Sequence, residues 1–215
     1  MKKRFAMIAA AAALTGALLI GGTLAYLTAA PKEKVNTFTV GAELTGELKE
    51  PLFDGVDFEK PEHHVEVPAE EKWGKSLASN FVPGRVIPKD PAVANTSAST
   101  DAWVAVKLDY TTGVIEEGVA PDPLKVTDIE AFATIDWDTT NWTLNDEKTV
   151  AYYNEKLPAG KKTPTVFNTV IIDNDATSKT MKSFEITITA YLVQAEGFKS
   201  AEEAMAATFD KPAQQ

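Results

Sequence analysis

Apolar and polar side chains alternate with a period of two along much of this chain. Phe184, Ile186, Ile188, Ala190 and Leu192 fall on one face of a segment whose other face carries Glu185, Thr187 and Thr189. Successive side chains of a strand point to opposite sides, so this pattern predicts a half-buried β-strand. Val104, Val106, Leu108 and Tyr110 repeat it within Ala102 to Tyr110, and Phe38, Val40, Ala42 and Leu44 do so near the start. Further strands are expected over Ala131 to Trp137, Thr149 to Tyr153 and Val166 to Ile172. Pro83-Gly84, Lys89-Asp90-Pro91, Pro158-Ala159-Gly160 and Asp173-Asn174-Asp175 supply turn residues between them. Many short strands separated by turns imply an all-β, jelly-roll-like antiparallel sandwich with a few short helices.

Two helices are expected. Ser200 and Glu203 have capping-box spacing ahead of Ala204 to Phe209, and Thr127 and Glu130 share that spacing. Lys60 to Ser79 is polar, acidic and without period, and reads as a long surface loop pinned by Trp73. Trp103 lies on the face of its strand opposite Val104 and Val106, and the long loop is the expected cover for it.

The first residues follow a different rule. Lys2-Lys3-Arg4 precedes an apolar run from Phe5 to Ile20, the layout of an export signal. Thr23 and Ala25 stand at the minus-three and minus-one positions for cleavage before Tyr26, and Thr28 with Ala30 offers a second site. The organisation is therefore a signal peptide over 1–25, a new N-terminal segment over 26–35, one domain over 36–210 and a disordered tail over 211–215. Membrane contact is expected only through the uncleaved leader. The protein itself is expected outside the cell.

Charge and composition narrow the function classes. The first 25 residues hold three of the 21 basic residues and none of the 31 acidic ones, so the remainder stands at 18 against 31. A surface this acidic repels phosphate backbones and argues against nucleic acid as a partner. There is no cysteine, which removes disulfides, thiolate metal sites and cysteine nucleophiles. Among the residues that could do acid–base work, histidine is confined to His63 and His64, read here as surface-loop residues. With Glu66 they make only a weak metal-ligand set, because neighbours on an extended chain point apart. Asp136-Trp137-Asp138-Thr139-Thr140-Asn141 with Glu147 partly imitates a calcium loop, but Asn141 stands where the loop needs glycine. No Walker or Rossmann phosphate loop is present. No catalytic residue and no cofactor is expected.

The residues resemble the TasA and camelysin family of Gram-positive bacteria, exported with a SipW-type signal peptide. The likeness rests on Gly22 to Leu27, Asn36-Thr37-Phe38-Thr39-Val40-Gly41, Pro83-Gly84, Lys89 to Thr96 and Trp103-Val104-Ala105-Val106. It continues in Ala151-Tyr152-Tyr153, Ala190 to Phe198 and Glu203-Ala204. The resemblance implies a jelly-roll domain released by a dedicated signal peptidase and used as a structural protein of the cell surface or biofilm matrix. It further implies fibres in which a freed N-terminal segment adds as a strand to the next subunit, here Tyr26, Leu27, Thr28, Ala29 and Ala30. Pro31 and Lys32-Glu33-Lys34 limit that strand on its far side. Partners implied are the peptidase, further copies of the chain and other matrix proteins. The same resemblance admits a surface metalloprotease of camelysin type, and the fold would also suit a monomeric adhesin.

Overall fold

Two eleven-residue strands, β5 (Ala102–Thr112) and β10 (Phe184–Gln194), pair antiparallel along their whole length, from Ala102 opposite Gln194 to Thr112 opposite Phe184. They are the segments with the longest unbroken alternation, and every one of their even-numbered apolar residues points the same way. A computed structural model of the protein describes residues 17–24, 44–113 and 120–209. In it β5 and β10 form the middle of a five-stranded sheet in the order β1-β10-β5-β8-β7. The other members are β1 (Ala17–Leu24), β7 (Trp142–Leu144) and β8 (Val150–Tyr153). A three-stranded sheet runs β3-β9-β6, from Val86–Pro88, Phe167–Ile172 and Ala133–Trp137. A two-stranded ladder joins β2 (Gly46–Lys49) to β4 (Ala92–Asn95). All the strand pairs are antiparallel.

One buried cluster draws on all three sheets. Val104, Val106 and Leu108 of β5 and Ile186, Ile188 and Leu192 of β10 share it with Ile87, Val93, Ile135, Val170 and Ile172. Each fully buried Val, Leu or Ile contributes about 1.5–3 kcal/mol by leaving water. Because strand side chains alternate, the odd-numbered residues of β5 lie on the opposite face. Trp103 and Ala105 are nevertheless buried there. Helix α4 (Ala201–Phe209) is what covers them: Ala201, Ala204 and Met205 pack on Trp103, Ala105 and Val193, and Trp103 Nε1 donates to Phe198 O at 3.3 Å. The cover expected from the long loop is thus supplied by the C-terminal helix instead. Its expected cap is present, with the Glu203 N–H donating to Ser200 Oγ at 3.1 Å and the Lys199 N–H to Glu203 Oε2 at 2.8 Å.

The expected strands over 102–110, 149–153, 166–172 and 184–192 appear as β5, β8, β9 and β10. The strand expected from Ala131 begins at Ala133, because Ala131 closes helix α3 (Val126–Glu130), whose start is fixed by the Asp128 carboxylate accepting from the Lys125 N–H. The strand expected around Phe38 to Ala42 lies outside the described residues; Leu44 and Thr45 precede β2 without joining a strand. The segment read as a long loop carries short helical turns: α1 (Pro51–Asp54) leads into it, followed by 3-10 turns at Pro61–His63 and Glu70–Lys72 and by α2 (Gly74–Ala78). Trp73 does pin it, donating from Nε1 to Pro68 O at 2.9 Å.

Candidate functional site

Strand β10 has two edges with different fates. One is paired with β5 throughout, and the other is paired with β1 from Ala17 opposite Val193 to Leu24 opposite Thr187, with a register shift between Ile20 and Thr23. The residues on that second edge are those the sequence assigns to the leader. Thr23, expected at the cleavage site, sits opposite Ile188. Ala25, Tyr26, Leu27, Thr28, Ala29 and Ala30, the other cleavage and donor residues, lie outside the described residues.

Leu24 opposite Thr187 is the last described pair on that edge, and beside Phe184 to Ile186 a cavity of about 260 Å³ opens between β10 and the three-stranded sheet. Phe53, Phe81, Ile87, Val170, Phe184 and Ile186 are among its lining residues. Phe184 is held there by edge and tilted contacts with Phe132 and Phe81, at 5.8 and 6.0 Å between ring centres. A strand edge beside a partly apolar cavity can take an extended peptide, the backbone binding along the edge and a side chain entering the hole.

The two histidines do not form a site together. His64 is exposed and its Nδ1 lies 2.5 Å from Asp57 Oδ2. Burial works against ionisation of Asp57, but N–H donors from Val65 and Phe58 together with His64 hold its carboxyl below the usual value. His63, expected at the surface, is buried instead: its ring packs against Phe58 at 5.7 Å, and burial pushes its pKa down. The reason is that Pro61–His63 turns as a 3-10 helix, which aims the two imidazoles to different environments rather than to the two faces of a strand. Glu66 is exposed. Among the described residues no group of three or more metal-binding side chains converges.

The carboxylates of Asp136 and Asp138 in the calcium-like segment are occupied by backbone N–H donors. Asp136 accepts from the N–H groups of Asn168 and Thr169 at 2.8 and 2.6 Å, and Asp138 accepts from those of Thr140 and Asn141. Those of Asp138 are the local side-chain-to-backbone bonds that make Asp favourable in turns, whereas Asp136 reaches across to the neighbouring strand β9.

A third arrangement went unread in the sequence. Glu50, directly after β2, meets Lys89, directly after β3, with Nζ 2.6 Å from Oε1 and both side chains almost wholly buried. The ring of Phe53 lies 4.3 Å from Nζ. Asp90 is buried next to them and accepts from the Leu52 N–H at 2.9 Å. Burial pushes its carboxyl up to about 7 against the pull of that hydrogen bond, and the charge of Glu50 adds to the rise. Lys89-Asp90-Pro91 reads as a chain breaker, which it is; the signal for more was a Lys-Asp pair between two apolar strands.

Compared with protein-family models, curated proteins and solved structures, the chain matches none.

Proposed function

We propose that this chain is a secreted structural protein of a bacterial cell surface or biofilm matrix, with a jelly-roll domain that polymerises by strand addition. Signal peptidase acts after Ala25, and Tyr26 to Ala30 of one copy then takes the place of β1 along β10 of the next. The place of β1 carries this reading: the residues that leave with the leader are the ones paired to β10. Their loss exposes a row of backbone N–H and C=O groups, which a strand from a second copy satisfies. The cavity beside Phe184 takes an apolar side chain of that strand. Because donor and acceptor are different surfaces of one molecule, the contact does not close on itself and gives filaments.

Metal-dependent proteolysis has less support, since His63 and His64 face apart and one of them is buried among apolar groups. Electron microscopy tests the proposal. Filaments are expected from the processed protein and not from a form that begins at residue 36. Equal filaments from both overturn the donor role of residues 26–35.

A further inference from the structure

We propose that Lys89 and Glu50 condense to a side-chain amide, a covalent staple between the end of β2 and the β3–β4 corner. Both groups are out of water, 3% and 0% exposed, and their reacting ends already touch. Two reactants held at contact react as though at an effective concentration far above any reached by the same pair free in solution. An ion pair buried this deeply bears a desolvation cost that a neutral amide does not. The condensation thus relieves the site as well as linking it.

The step balances without any outside reagent. The proton of the ion pair moves from Nζ to a Glu50 oxygen along the 2.6 Å contact, leaving a neutral amine and a carboxylic acid. Nζ attacks Cδ of Glu50, forming the C–N bond. The carboxyl of Asp90, next in the chain to Lys89 and near enough to Glu50 to repel its charge, protonates the departing hydroxyl and recovers a proton from the nitrogen. One water leaves, nothing is oxidised or reduced, and Asp90 ends as it began. A carboxyl whose pKa is pushed up to about 7 holds and gives a proton with nearly equal ease at neutral pH, which suits that role. Lys89 and Phe53 also line the cavity beside Phe184, so the water has an exit. The Phe53 ring keeps bulk water from Nζ, which protects the product from hydrolysis.

The position has a use. Among the described residues strand β2 pairs with β4 at four positions, and it follows residues 25–43 in the sequence. Tension entering through that segment peels β2 until it reaches Glu50, where the amide stops it. This use rests on the filament reading above; the bond itself does not. In a chain without cysteine it supplies the cross-link that a disulfide supplies elsewhere.

The test is the mass of the full chain, purified and denatured, with its N-terminus read from the same peptide map. The expected mass is one water, about 18 Da, below that of the sequence. Trypsin should release residues 50–72 joined to residues 86–107. Lys89→Arg, which keeps the charge, should restore the full mass and release residues 50–72, 86–89 and 90–107 as separate peptides. An unsubstituted chain at full sequence mass with separate peptides overturns the proposal, as does a deficit that survives Lys89→Arg. Deleting residues 26–35 leaves the mass deficit in place even if it abolishes filaments, so the two proposals fail separately.

Discussion

The indole of Trp73 stands where a side chain on Gly55 would have to go. An ideal Cβ at Gly55 falls 2.1 Å from Cζ2 of that ring, and Gly55 closes helix α1 with φ at +75°. Both the backbone conformation and the space therefore require glycine. Gly55→Ala should lower stability by about 2–4 kcal/mol, adding a left-handed backbone penalty to overpacking against a rigid ring. Urea unfolding measures it. Limited proteolysis should show early cuts within 60–79, since the displaced Trp73 is what fastens that segment.

Asn95 uses its side chain fully. Its Nδ2 donates to the carbonyls of Thr100 at 2.8 Å and Leu157 at 3.0 Å, while its Oδ1 accepts from the Ser97 N–H at 3.1 Å. Asn95→Asp puts an oxygen against two carbonyl oxygens in a site with no exposure. A loss of roughly 3 kcal/mol is expected at pH 7, with partial recovery in acid as the carboxyl regains a proton to donate. Denaturation at both pH values checks it, and an Asp variant equal to the parent at pH 7 would contradict the network.

Helix α4 protects Trp103 chiefly through small residues. Ala204 is fully buried in that contact, so Ala204→Glu forces a charge into it and should undock the helix at a cost of about 3 kcal/mol. Tryptophan emission should shift to the red as Trp103 meets water, while the β-sheet circular dichroism is kept. Unchanged emission would mean that another segment covers the ring.

His63 makes stability depend on pH with a definite sign. Its folded pKa lies below the ordinary 6.5 because burial disfavours the cation. Nearby Glu62 and Glu47 favour the cation, and Lys60 and Lys162 oppose it. The unfolded chain thus binds the proton more readily, and stability present above pH 6.5 is lost as pH falls toward the folded value. His63→Phe keeps the contact with Phe58 and should remove this loss. Melting temperatures at pH 7.5 and 5.5 decide it: the parent drops more than the variant between them.

Much of the sheet was legible because its strands bury one face only. The alternation from Phe184 to Leu192 and from Val104 to Tyr110 marked both central strands, though not their pairing, and Ser200 with Glu203 marked the last helix. Strands of three or four residues, such as β3 and β7, carry too few positions for a period to show. Strand β4 is buried along its whole length, Ala92 to Asn95, so it shows no alternation at all. A capping box locates a helix without saying what it lies on, which is why α4 rather than the long loop was missed as the cover of Trp103. At the site, an apolar leader and an edge strand look alike as sequence, so the pairing of Ala17 to Leu24 with β10 left no mark. Burial of Lys89 and Glu50 arises from contacts 39 residues apart, and no local pattern reports those.

The union of β5 with β10 also sets a timetable. As the chain is made, the second of these two strands begins only at residue 184 of 215. Until it appears, the central ladder has no partner to close on, and contacts so distant along the sequence form slowly in any case. A newly synthesised molecule therefore stays pliable until this late strand has been made, and only then hardens.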